Sequence, residues 1–135
     1  VWTHPQWRRA VDLARSGALG DVRSYVGMFS YYNDDPANIR NVADWGGGGL
    51  MDIGCYLVIT SRMLFGEEPR RVLALMARDE ATGVDVLTSM MLDYPSGQAI
   101  GMCSTRVTAY QRVQLFGTRK RLEIEIPFNA PNDRP

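Results

Sequence analysis

The sequence predicts an α+β domain, a mostly antiparallel open sheet with helices on one of its faces. Three observations carry this. An early segment has apolar residues at helical spacing, a central apolar run is bounded by glycines, and the remainder alternates with a period of two between short turns. At 135 residues the chain suffices for one domain with its own core.

Residues 4–16 put Trp7, Ala10, Val11 and Ala14 on one helical face, with Pro5 suited to the first turn and Ser16-Gly17 ending it. Leu19-Gly20-Asp21 makes a turn. Residues 22–32 read as a strand, rich in β-branched and aromatic side chains: Val22, Tyr25, Val26, Phe29, Tyr31 and Tyr32. Residues 33–41 are polar, and Pro36 forbids a continuing central strand, so a loop delivering polar groups toward the glycines is expected. The central element then runs Gly46-Gly47-Gly48-Gly49-Leu50-Met51-Asp52-Ile53-Gly54-Cys55-Tyr56 and on to Phe65, with Gly66 and Pro69 marking its end. Its apolar run, 50–65, is short for a bilayer and carries Asp52 and Arg62, which makes it a buried helix.

Period-two segments follow at 72–78, 84–94 and 98–105, then a hairpin of 110–116 with 122–126 around Gly117-Thr118-Arg119-Lys120. Links as short as Pro95-Ser96-Gly97 require antiparallel neighbours, so a meander is expected. The tail, 127–135, is irregular and proline-rich. Such a sheet leaves one face uncovered, and a second copy of the same sheet is its expected cover.

Fifteen basic residues balance fifteen acidic ones, which removes the electrostatic footprint of a nucleic-acid binder. No membrane partner is expected either. Cys55 and Cys103 lie far apart without metal-ligand spacing, so reduced thiols in a cytoplasmic protein are the expectation. His4, the only histidine, sits at a helix start remote from the central run, and no Cys, His and carboxylate cluster supports a metal. The chain opens Val1-Trp2-Thr3-His4 without an initiator methionine, and we expect it to be a piece of a longer polypeptide.

Two polar groups in the central run bear on chemistry. Asp52 and Tyr56 are four residues apart, so on a helix both project from one face. Singly, Asp52 is what a helix start favours, and Tyr56 is an ordinary half-buried phenol. Together, behind glycines that let another molecule approach the backbone, they form a candidate active site. The glycines lack G-x-G-x-x-G spacing and follow a loop, which argues against a nucleotide fingerprint. Asp35, Arg40 and Asn41 read on their own as loop residues, and Trp45 either walls a pocket or fills core.

The pattern Gly47-Gly48-Gly49, Asp52, Gly54, Tyr56 resembles the signature of the second domain of the Gfo/Idh/MocA oxidoreductases, the glucose-fructose oxidoreductase and inositol dehydrogenase superfamily. The resemblance extends from His4-Pro5-Gln6-Trp7 through residues 16–22 and the 34–41 loop to residues 127–131, so it covers nearly the whole chain. It implies that residues 1–135 are a C-terminal substrate-binding and oligomerisation domain, with NAD or NADP bound mainly by an N-terminal Rossmann domain outside this sequence. Tyrosine at position 56 resembles the glucose-fructose oxidoreductase, xylose dehydrogenase and dihydrodiol dehydrogenase branch, whereas the inositol branch has histidine there. That branch also has an acidic residue where this chain has Ile59, so a sugar or dihydrodiol substrate is favoured.

The implied reaction passes hydride between the nicotinamide and a secondary alcohol or carbonyl of a sugar or polyol. Tyr56 would be the acid/base and Asp52 its orienting partner, while Arg40, Asn41 and Trp45 help shape the substrate site. A homo-oligomer through the open sheet face is implied as well. The competing class is a non-catalytic sugar-binding or dimerisation module with a degenerate site.

Overall fold

The computed structural model describes residues 3–130, so Val1, Trp2 and the last five residues of the expected tail lie outside the described residues. The first helix, α1 (Pro5–Arg15), begins with proline at its first turn. The imidazole of His4 accepts a hydrogen bond from the Gln6 amide at 3.3 Å, so this histidine serves as the helix cap. Trp7, Ala10 and Ala14 form the buried face. The chain then turns into β1 (Val22–Tyr32).

The later elements are α2 (Cys55–Phe65), β2 (Arg71–Arg78), β3 (Asp85–Asp93), β4 (Gln98–Ser104), β5 (Arg106–Gly117) and β6 (Arg121–Ile124). All six strands join one sheet in the order β2-β3-β4-β1-β5-β6. Four of the five pairings are antiparallel, but β1 and β4 run parallel. The expected meander is therefore corrected, because β1 is inserted between β4 and β5. The chain passes from β4 to β5 over the end of β1, where the Asn33 amide donates to the Thr105 carbonyl at 3.0 Å. Turn lengths govern neighbours in sequence, and a strand lying 74 positions earlier, as Ser24 does from its register partner Gln98, leaves no mark on them.

Alternation along the strands separates two faces. One carries Tyr25, Phe29, Met90, Leu92, Ala99, Cys103, Val113, Leu115 and Ile124, buried beneath the helices. Gly27 of β1 and Gly101 of β4 are register partners, and together they make a hollow for Leu57 of α2. A Cβ on Gly27 would stand 2.9 Å from the Leu57 side chain, and one on Gly101 3.3 Å. Burial of Leu57 contributes roughly 1.5–3 kcal/mol. The fully buried hydroxyls of Thr60 and Ser61 bond the phenols of Tyr25 and Tyr94, each at 2.8 Å. These pairs satisfy polar groups that would otherwise oppose burial, and they fix the rotation of α2 about its axis.

The other sheet face is open. Leu73 and Leu75 of β2 are 68% and 80% exposed, and Leu87, Met91 and Ile100 continue the apolar surface across β3 and β4. The helical stretch from Ala43 to Phe65 is long and apolar enough to cross a membrane by length and composition, yet half of its apolar window is buried within the domain.

Candidate active site

The entry to α2 is built from outside its own segment. Two 3₁₀ turns, Ile39–Asn41 and Ala43–Trp45, lead to Gly46, which adopts the left-handed conformation at φ 75°. Gly48 follows at φ 127°, where a Cβ would run into the carboxylate of Asp85. That carboxylate, at the start of β3, accepts from the Leu50 amide at 2.6 Å and from the Thr88 hydroxyl at 3.3 Å. At Gly48 the space left by the missing side chain is thus taken by the chain's own Asp85, which caps an otherwise uncapped helical start, whereas Gly47 faces the Arg40 and Val42 carbonyls and Gly46 faces open space.

From there Leu50–Gly54 winds as a π-helix, and the α-helix begins at Cys55. A single α-helix was the expectation for this stretch. A four-residue spacing is compatible with either winding, so the wider turn is not legible in it. Asp52 and Tyr56 nevertheless line one cleft of about 770 Å³, together with Phe29, Tyr31, Arg40, Gln111 and Asn129.

Asp52 is held from two sides. Arg40 donates from Nε to Oδ1 at 2.8 Å, and the Tyr31 hydroxyl donates to Oδ2 at 2.5 Å. Burial, reinforced by the bond to Asp52 and that group's charge, pushes Tyr31 well above the usual phenol range, against a smaller opposing pull from Arg40. The hydrogen bond and charge of Asp52 likewise hold Arg40 in its protonated form. Tyr31 therefore keeps its proton and spends it on the carboxylate.

Tyr56 is placed differently. It is 37% exposed, its ring lies 5.6 Å from that of Phe128 and 6.1 Å from that of Phe29, and its hydroxyl makes no hydrogen bond among the described residues. Three phenols line the cleft; the hydroxyls of Tyr56 and Tyr110 make no hydrogen bond among the described residues, and of these two only Tyr56 lies on the same helical run as Asp52, four residues from it.

The other expected site residues divide. Arg40 lines the cleft, but its Nε is committed to Asp52. Asn41 is buried outside the cleft lining; its amide donates to the Asp35 carbonyl at 2.8 Å and accepts from Arg106 at 3.2 Å. It is a staple of the 33–41 loop, because a polar turn folded on itself must satisfy its own carbonyls. Trp45 is 69% exposed and lies outside the cleft lining, because its turn ends at Gly46, which sends the chain away. Asn41 and Trp45 are thus not among the residues that line this cleft.

Tyr31, Gln111 and Asn129 line the cleft and were missed. Parity offered a signal for Tyr31, which shares the inward face of β1 with Tyr25 and Phe29. Gln111 and Asn129 reach the cleft only through sheet order, and no local pattern marks them.

A family model described as the GFO/IDH/MocA C-terminal domain matches residues 7–123. An uncharacterised oxidoreductase of Rhizobium meliloti is 43% identical over 134 residues, covering 98% of this chain and 40% of the relative. A D-xylose 1-dehydrogenase (NADP(+)) of Haloferax volcanii is 40% identical over 131 residues, covering 94% and 39%. Among solved structures, an aldose-aldose oxidoreductase from Caulobacter crescentus complexed with glycerol superposes with a TM-score of 0.85 at 31% identity, covering 92% of this chain and 38% of that one. The chain thus spans about 40% of the length of the relatives it matches.

Proposed function

The chain belongs to the GFO/IDH/MocA family, through its C-terminal domain, and from that membership we propose that it is the substrate-binding and oligomerisation domain of a cytoplasmic NAD(P)-dependent oxidoreductase acting on a secondary alcohol or carbonyl of a sugar or related polyol. The observation that carries this reading is that Tyr56, its hydroxyl unbonded among the described residues, shares the cleft and the helical run with Asp52, to which the phenol of Tyr31 is already committed.

In the oxidative direction Tyr56 takes the proton of the substrate hydroxyl at its phenolic oxygen, and in reduction it donates that proton to the carbonyl oxygen. A phenol ordinarily titrates near pH ~10, so proton transfer at neutral pH calls for a cation close to Tyr56, which we assign to a lysine beyond this chain. Asp52, clamped by Arg40 and Tyr31, keeps lone pairs free on both oxygens and orients the substrate or that lysine. The nicotinamide, when bound, supplies or accepts the hydride. The residues present fit only its reactive end: the cleft has both polar and apolar lining beside Tyr56, while Gly48 faces the Asp85 carboxylate and Gly47 faces the Arg40 and Val42 carbonyls, groups that repel a phosphate. The dinucleotide is accordingly bound mainly by the N-terminal domain, and the isolated chain is expected to be inactive.

The test uses the full-length protein with NAD or NADP and a panel of aldoses, polyols and trans-diols, following nicotinamide absorbance. Turnover of at least one of these is the expected result. Cofactor or sugar binding with no turnover of any would instead favour a non-catalytic sugar-binding module.

The apolar surface formed by Leu73, Leu75, Leu87, Met91 and Ile100 supports pairing of two open sheets. Sedimentation of the full-length protein is expected to report an oligomer that Leu75→Asp weakens. A wild-type monomer at micromolar concentration would count against this assignment.

A further inference from the structure

The direction of the Tyr56 hydroxyl is set by ring packing, since that hydroxyl has no hydrogen bond among the described residues. Two rings flank it. Phe29 is fixed within β1. Phe128 belongs to no helix or strand; it lies on the segment that leaves the sheet after Ile124 and turns back across the cleft. Its ring stands 5.6 Å from Tyr56 and 4.8 Å from Phe29 in stacked arrangements.

Three side chains anchor that segment. From α1, Trp7 donates through Nε1 to the Pro127 carbonyl at 2.8 Å, and Gln6 donates through Nε2 to the Ile126 carbonyl at 3.1 Å. From β5, the Oε1 of Gln111 accepts from both the Phe128 amide at 2.9 Å and the Asn129 amide at 3.3 Å. Two backbone N–H donors on one atom require that atom to be the oxygen, which settles the orientation of the side-chain amide. Gln111 is the anchor that grips Phe128 itself, and it sits directly opposite Phe29 in the β1–β5 register. One side chain thus grips Phe128 and lies opposite Phe29, the stacked pair of rings against which Tyr56 packs.

We infer that Gln111 is a positioning residue for proton transfer, acting through Phe128 to aim the Tyr56 hydroxyl. This rests on the proposed acid/base role of Tyr56. A misplacement of about 1 Å at a reacting group costs up to ~10²-fold in rate, so loosening the Phe128 anchor acts on turnover more than on substrate binding.

The experiment compares Gln111→Leu, Gln111→Glu and Tyr56→Phe in the full-length enzyme. Gln111→Leu removes the acceptor at similar size, and kcat is expected to fall about tenfold while KM changes less than about threefold. Gln111→Glu keeps an oxygen acceptor for both amides and is expected to restore most of kcat, which a purely volumetric role would not produce. If Gln111→Leu turns over like wild type while Tyr56→Phe is impaired, the positioning role is overturned and the acid/base assignment stands. If Tyr56→Phe turns over like wild type, both fall. Should Gln111→Leu fail to fold, Phe128→Leu tests the same contact, and an unchanged kcat in that variant overturns the inference.

Discussion

Replacing Tyr56 by phenylalanine in the full-length protein is expected to lower turnover about 10²-fold or more, the usual worth of a positioned general acid. The substitution removes one oxygen and keeps the ring, so the packing on Phe128 and Phe29 is retained and folding is not the cause of the loss. Because the proton moves only during the reaction, kcat and kcat/KM should fall together. A drop below tenfold with cofactor binding unaltered would rule Tyr56 out as the acid. Tyr31→Phe is the informative comparison. It deprives Asp52 of one of its two partners but takes no proton from the reaction, so about tenfold or less is expected, in keeping with one hydrogen bond to a charged group. The sign of the Tyr31 shift supports the separation. Its value is raised on folding, so its contribution to stability is fully present below the ordinary phenol value of about 10 and is lost only as pH rises through the higher folded one. Any loss of activity at mildly alkaline pH must therefore come from another group.

Asp85→Ala is expected to destabilise the fold by about 2 kcal/mol, the scale of a lost charge-assisted cap on a buried amide. The carboxylate is buried, bonds the Leu50 amide at 2.6 Å and fills the space that glycine leaves at position 48. Its removal orphans the first donor of the π-turn that carries Asp52. Asp85→Asn keeps an acceptor oxygen without the charge and should cost about half as much. Urea unfolding of the full-length variants measures this, and an Asp85→Ala midpoint equal to wild type would show that the cap contributes nothing. The two carboxylates thus have separate expected signatures, Asp85 in stability and Asp52 in turnover.

Local periodicity made much of the fold legible. The helix around Trp7, Ala10 and Ala14 and the strand 22–32 repeat their pattern within a few residues, so their limits could be read directly. Asp52 and Tyr56 were equally legible because they share a short segment. Tyr31 lies 21 positions from the carboxylate it serves and Gln111 lies 17 from the backbone it holds, so neither left a spacing to recognise.

What the sequence determined alone is the identity of the elements, the pairing of an acid with a phenol in the central helical run, and the presence of an uncovered sheet face. Each follows from side-chain periods of two or about four within one segment. What only the tertiary structure decided is the company those groups keep. Inserting β1 between β4 and β5 brings Tyr31 to Asp52 and aligns Gln111 beneath Phe128, and packing of the Leu50–Gly54 turn on β3 sets Asp85 against Gly48. The physical reason is that sheet order is set by burial of whole faces summed over distant strands, a quantity that no window along the chain contains.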